Sequence, residues 1–416
     1  MGIGLNTPPI LAANSQIKGY DKQLRMKSRL LDIYENSKGM YVQNKKSIPN
    51  AIRMTVDERA KSESNNITIT WTDKLQGLGI YDPQVAIGQE RYPITKSMTI
   101  YRNIVRKVVG KPGYGNDALD AKPYSLYDYW LEELANWNRD HHGLSIRQSI
   151  LEQYGESLIY GRTLPFCQRN WNPNVFIAGQ NLRNMQVPYS TNRATYTNAI
   201  VNSIWASGGN SLTPIVTQTL NIPNLSNAQN ACLRERIEKL QLPGFSAGGG
   251  WVLTMSELQA TYLSDTAWST RNLGSLYVQR DRISEKLQNW YGVLGRYKDF
   301  LLVEDVMQPT LIISGTSEPW GMTAGYMYPG DDEDRERENI LTRDTVFILG
   351  KAAVIDWNPE PLHHINEDDD YGLVEGHGTA LVEGITQPIF NQQTPRGGSH
   401  EQFSSVVMIC GLPDYV

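Results

Sequence analysis

Two imidazoles, His363 and His364, stand just ahead of Glu367, Asp368, Asp369 and Asp370. Such nitrogen and oxygen donors could bind a divalent cation and activate a water for metal-assisted hydrolysis. The spacing argues against it. Consecutive histidines cannot share one face of a strand or helix, and the run matches no zinc pattern. A calcium loop with Gly372 at its central glycine would place Gly378 where a bidentate Glu is required. The segment therefore reads as a solvated acidic turn, and no metal ligand is assigned. A second pair, His141 and His142, lies beside Asp140, with the acids of Asp128 to Glu133 nearby. No nucleophile motif accompanies it, so packing or capping at a helix junction is the better reading than acid–base work. His377 and His400 lie in Gly-rich stretches and carry no further signal.

The remaining candidates are weaker still. Gly248 to Gly250 precedes a strand instead of following one, and no Lys-Ser/Thr pair comes after it, so a tight turn replaces a phosphate cradle. No serine sits in a GxSxG elbow. Cys167 has no local base and reads as a structural thiol. Arg102, Arg106, Lys107 and Lys111 form a basic stripe on or beside one helix. It is either a solvated face or a contact for acids in trans, such as Asp331 to Glu338 of a neighbouring copy. No catalytic, cofactor-binding or metal residue is assigned, and the chain is not expected to be an enzyme.

The elements that would carry these residues alternate without a regular βαβ period, which gives an α+β class. Pro8 and Pro9 break an apolar start, and Gln23 to Tyr34 can form one amphipathic helix, so the first fifty residues read as an arm. Ile67 to Trp71 alternates as a strand, and Tyr81 to Tyr92 carries a second strand-like piece, together a long two-stranded excursion that needs another surface to lie on. Met98, Tyr101, Val105 and Val108 recur at helical spacing. Two further helices, one capped near Ser125 and one from Ser145 to Leu158, meet around Gly143. Residues 161 to 225 read as turns and short strands. A helix opens at Ser226 and closes at Pro243-Gly244. Trp251 to Leu253 is a strand that runs into a helix through the capping box Thr254 to Glu257. A short helix follows over Asp281 to Trp290. Strands then dominate at Phe300 to Val306, Thr310 to Ser314, Thr345 to Leu349, Ala352 to Trp357 and Ser404 to Cys410, with a polar excursion from Gly330 to Glu338.

Composition narrows the class. With 416 residues, 40% apolar and 20% charged, the chain can bury a large core without staples and is too hydrophobic to be disordered. A formal charge of -5, from 39 Lys and Arg against 44 Asp and Glu, opposes a dedicated nucleic-acid binder. Three scattered cysteines fit a reducing compartment. No stretch reaches the roughly 20 apolar residues that span a bilayer, and no secretory pattern opens the chain.

Several segments in order resemble the major capsid proteins of tailed bacteriophages, in particular podovirus-like phages and related proviruses. They are Ile67 to Trp71 leading to Leu75-Gln-Gly-Leu-Gly-Ile80, Ile94 to Val109, Gly250-Trp-Val-Leu253 with the helix to Trp268, Gly292 to Glu304, and Thr345 to Ala353. The resemblance covers most of residues 50 to 395. It implies the tailed-phage shell fold, with an N-terminal arm at 1–49, an extended β-hairpin loop at 50–95, and a peripheral domain with long helices at 96–189. A largely axial domain would fill 190–350, and 351–416 would supply C-terminal strands returning to the body.

The resemblance implies a function by assembly: an icosahedral shell of hexamers and pentamers enclosing double-stranded viral DNA. It implies a scaffolding protein, a portal protein and decoration proteins as partners, proximity to packaged DNA without specific binding, and no membrane. The protein would assemble in the host cytoplasm and reside in the virion capsid. It carries over no catalytic residue, and Lys45, Lys46 and Lys74 are not assigned to cross-linking. Two rivals from other classes are the metal-assisted hydrolase built on His363 and His364, and a tail or receptor-binding module suggested by the abundant Trp, Tyr and Asn.

Overall fold

The computed structural model describes residues 32–41, 48–56, 66–72, 95–101, 103–110, 126–151, 172–178, 205–208, 211–214, 219–245, 248–269, 285–314, 323–327, 341–369, 374–390 and 402–411. Expected features at 8–31, 81–92, 152–158, 330–338, Cys167 and His400 lie outside the described residues. In chain order the described elements begin with α1 (Ile33–Asn36), β1 (Lys38–Tyr41), β2 (Arg53–Val56), β3 (Asn66–Thr72), β4 (Thr95–Tyr101) and β5 (Asn103–Gly110). They continue with α2 (Leu126–Leu151), β6 (Val175–Ile177), β7 (Trp205–Gly208), β8 (Ser211–Pro214), α3 (Ile222–Arg234), β9 (Trp251–Met255), α4 (Glu257–Ser269) and α5 (Glu285–Gln288). Strands complete the chain: β10 (Val293–Tyr297), β11 (Phe300–Glu304), β12 (Thr310–Ser314), β13 (Thr323–Met327), β14 (Leu341–Leu349), β15 (Val354–Asp369), β16 (Val374–Thr386) and β17 (Ser405–Cys410). The class is α+β.

An eight-stranded sheet is built on β14, which pairs with β17 along one side and with β12 and β9 along the other. Its central strands are continuous apolar runs, the signature of a sheet covered on both faces. The pleat sorts them: Phe347, Leu349, Val407, Ile409, Leu301 and Val303 face one core with Ile146 and Ile150 of α2. Val346, Ile348, Val406, Met408, Phe300 and Leu302 face a second core with Leu225, Ala228 and Cys232 of α3 and Leu263 of α4. The layers are therefore helix, sheet, helix.

A five-stranded sheet has the order β1-β2-β15-β16-β5, with the β15–β16 hairpin as its long spine. The pairing shifts register between Trp357 and His363, where Pro359 and Pro361 supply no N–H to the ladder. One face, through Met54, Ile355 and Trp357, packs on Ile67, Ile69, Trp71, Met98 and Ile100 of the antiparallel β3–β4 pair. The opposite face receives α2, where Leu131, Leu134 and Ala135 meet Leu362 and Leu381.

Several expected elements are corrected. The helical spacing of Met98 to Val108 gives strands β4 and β5. The β-branched pairs Ile104-Val105 and Val108-Val109 favour a strand, and β16 offers an eight-residue partner. The helix break at Gly143 is absent, because α2 runs unbroken for 26 residues, about 39 Å. Helix α3 starts earlier than Ser226 because Asn221 Oδ1 accepts from Asn224 N–H at 2.9 Å and caps it, and it ends before Arg236, whose φ of 56° cannot continue a right-handed helix. Ser256 caps α4, accepting from Gln259 N–H at 3.4 Å, while Thr254 stays buried in the sheet. The acidic turn is not a turn either: Glu367, Asp368 and Asp369 continue β15 opposite Gly376, Glu375 and Val374. The Gly248 to Gly250 turn is present. Gly249 has φ +72°, and a Cβ there would lie 2.3 Å from the Leu240 carbonyl oxygen.

Candidate functional site

The dense chemistry of the molecule lies where α2 crosses the five-stranded sheet. Its inward stripe, Leu131, Leu134, Asn138, the half-buried His142, Ile146 and Ile150, recurs every three or four residues and is interrupted by two polar members. The matching face of β16 presents Thr379, Leu381 and Glu383 at period two. Asn138 Nδ2 donates to Thr379 Oγ1 at 3.0 Å, Leu131 and Leu134 meet Leu381, and the two histidines meet Glu383. Alternation on one strand thus selects which helix residues become partners.

Glu383 is fully buried. His142 Nδ1 lies 3.0 Å from its Oε2, and His141 Nε2 lies 3.7 Å from its Oε1. Burial would push this carboxyl up, but the hydrogen bond from His142, the nearby His141 and the charge that both rings carry once protonated outweigh it and hold it down at about 2. His141 also stacks on Trp137 with ring centroids 4.9 Å apart, and Lys107 of β5 sits over Trp137 at 5.4 Å.

Arg53 of β2 joins this group to the N-terminal segment. Its Nε donates to Asp356 Oδ2 at 3.0 Å and its Nη2 makes a shorter bond to the same oxygen. Nη1 donates to Glu35 Oε2 of α1 at 3.0 Å, and Nη2 lies 2.6 Å from His142 Nε2. Burial works against the guanidinium's charge, yet Asp356 and then Glu35 raise its pKa above the ordinary value.

Five residues along α2 from His142, Arg147 forms a second node. Its Nε and Nη2 donate to the two oxygens of Asp305 at 2.8 and 2.6 Å, and Nη2 reaches Asp32 Oδ2 at 3.3 Å. Asp32 in turn caps α1 by accepting from Glu35 N–H at 3.0 Å. Asp305 follows β11, so this node ties the eight-stranded sheet to α2 and α1. Tyr34 packs under Arg147, and burial followed by Asp305 raises its phenol well above the usual range.

This geometry ties elements together. Each carboxylate in it faces a cation or an imidazole, and the two nodes join three layers. His142 thus has a partner 241 residues away in Glu383, and His141 lies beside the same carboxylate. His363 and His364 sit on β15, and among the described residues no cluster of three or more His, Cys, Asp or Glu could hold a metal ion. Arg106 and Lys107 lie on strand β5, not on a helix; Arg102 and Lys111 are outside the described residues. Cys232 and Cys410 are buried free thiols, pushed up by burial. Among the described residues no helix is long and apolar enough to cross a membrane.

The residues that sequence reasoning missed are Arg53, Arg147, Asp305, Asp356 and Glu383. A usable signal existed. Asp356 ends the run Ala352-Ala-Val-Ile and Glu383 follows Ala380-Leu-Val, each a lone acid inside a buried strand, where an unpaired charge is not tolerated.

No family model matches the sequence, and no curated protein does. Solved structures do match. The capsid of Ralstonia phage GP4 aligns over 93% of this chain and 93% of its own, with TM-score 0.57 and 13% identity. The chain has the fold of phage capsid proteins. The cyanophage Pam1 capsid aligns over 90% of this chain and 91% of its own, with TM-score 0.56 and 13% identity. The head structure of Helicobacter pylori bacteriophage KHP40 aligns over 92% of both chains, with TM-score 0.51 and 10% identity. Nearly the whole length of each chain takes part in these alignments.

Proposed function

We propose that the chain is a major capsid protein that self-assembles into an icosahedral shell around double-stranded viral DNA. The observation that carries this reading is the end-to-end likeness to phage capsid proteins, above 90% of both chains. The end strands of the five-stranded sheet, β1 and β5, which pair on one side among the described residues, support it. Met40 on β1 is 58% exposed, and Ile104 and Val108 on β5 are 55% and 59% exposed, apolar groups that a shell contact would bury.

In this reading residues 1–49 form the arm, 50–95 the extended loop, 96–189 the peripheral domain with α2, 190–350 the largely axial domain, and 351–416 the returning strands. Hexamers and pentamers close the shell. A scaffolding protein, a portal protein and decoration proteins are its partners, podovirus-like tailed phages its source, and the host cytoplasm its place of assembly. The ionic nodes give the subunit the rigidity to hold one shape through many quasi-equivalent contacts. Electron microscopy of the purified protein, with and without a co-expressed scaffolding protein, tests the reading. Closed shells or capsomers are expected; a stable monomer in both preparations contradicts it.

A further inference from the structure

The contact between Arg53 and His142 fixes a protonation state. A guanidinium can only donate hydrogen bonds. With Arg53 Nη2 at 2.6 Å, His142 Nε2 must therefore be the acceptor and carry no proton. The ring's proton then lies on Nδ1, where it is donated to Glu383 Oε2 at 3.0 Å. Arg53, His142 and Glu383 form a directional relay through a neutral imidazole in the tautomer that free histidine disfavours.

We propose that His142 is a proton-operated latch between the N-terminal segment α1–β2 and the long helix α2. When Nε2 takes up a proton, its new N–H points at a donor-only guanidinium and the contact breaks. Asp356 Oδ2, 4.0 Å from Nε2, is the acceptor within reach. The imidazolium turns to Asp356, keeps Glu383 through Nδ1–H, and competes with Arg53 for the carboxylate that anchors β2.

Among the described residues, the surrounding charges come from several elements. Helix α1 contributes Glu35 and Asp32, β1 contributes Lys38 at 3.8 Å from Glu35, and β2 contributes Arg53. Strand β15 contributes Asp356 and β16 Glu383. Helix α2 adds His141, paired with Glu383, the surface pair Arg139 and Asp140, and Arg147 on Asp32 and Asp305. Lys107 of β5 lies over the Trp137 ring on which His141 stacks. His142 is the titratable group whose protonation reverses a bond already made. The latch is independent of the shell reading, since it concerns one subunit.

Two measurements on the full chain test it. Magic-angle-spinning NMR with nitrogen-15-labelled histidine, assigned through His142→Gln, should show at about pH 8 an unprotonated Nε2 and a protonated Nδ1. The opposite tautomer overturns the proposal. Hydrogen exchange of β2, corrected for intrinsic rates, should show protection falling about fivefold from about pH 8 to about pH 5, the effect of losing one net hydrogen bond. The side-chain amide of His142→Gln can accept from Arg53 and donate to Glu383 without titrating, so its β2 protection should stay constant, while His141→Gln should keep the wild-type response. A flat wild-type profile, a response retained in His142→Gln, or one abolished only in His141→Gln overturns the latch.

Discussion

Replacing Arg53 by Met removes the guanidinium and keeps an aliphatic stem of similar reach, which isolates the charge from the packing. Asp356 is then left buried, with His142 Nε2 at 4.0 Å the remaining neighbour of its Oδ2 among the described residues. Breaking a buried ion pair from one side costs about 3–5 kcal/mol, because the surviving charge stays desolvated. Unfolding entropy of roughly 2.1 cal/mol/K per residue amounts to about 0.9 kcal/mol/K for 416 residues. The expected loss is thus about 3–6 °C in Tm by scanning calorimetry. Adding Asp356→Leu removes the orphaned carboxylate and should recover most of that loss, since an apolar replacement of a whole buried pair is close to neutral. A Tm within about 1 °C of wild type for the single variant, or a double variant no more stable than the single, would refute the assignment of Arg53 as the tie between β2 and β15.

Three further outcomes follow from the same geometry. Glu383 is held at about 2 against an ordinary 4.5, so its contribution is complete above the ordinary range and is lost as pH falls through about 2. The shift corresponds to about 3 kcal/mol, so Glu383→Gln should lower stability near neutral pH by about that amount and flatten the acid limb of a stability-versus-pH curve; an unchanged limb would exclude this role. Trp357, fully buried between Ile355 and the β3–β4 pair, should cost about 3–5 kcal/mol when truncated to Ala, measured by calorimetry. Ile104→Asp with Val108→Asp should leave subunit stability within about 0.5 kcal/mol while blocking assembly in light scattering, because both positions are exposed in one chain; normal assembly would show that this edge stays free in the shell.

The apolar strands of the eight-stranded sheet were legible because runs such as Val346-Phe-Ile-Leu349 and Val406-Val-Met-Ile409 admit little besides a doubly covered strand. Helix α2 was legible in its two halves, but the polar residues Asn138 and His142 concealed that its buried stripe continues across Gly143. They are tolerated there only because Thr379 and Glu383 arrive from β16, a partnership no local pattern encodes. The same long-range dependence misplaced Met98 to Val108: their spacing fits a helix equally well, and the strand wins through pairing with β3 and β16. The ionic nodes were hidden for a related reason, since Arg53, His142, Asp356 and Glu383 are distant along the chain and meet only after both sheets form. The overall fold was reached by resemblance in the order of its segments, which the structural likeness then supported at the level of fold.

Assembly is the central claim, and cryo-electron microscopy of the protein expressed with and without a scaffolding protein tests it most directly. The account predicts closed icosahedral shells or hexameric and pentameric capsomers, with the β1 and β5 edges of the five-stranded sheet buried between subunits. A uniform monomer or small fixed oligomer in both preparations would contradict it.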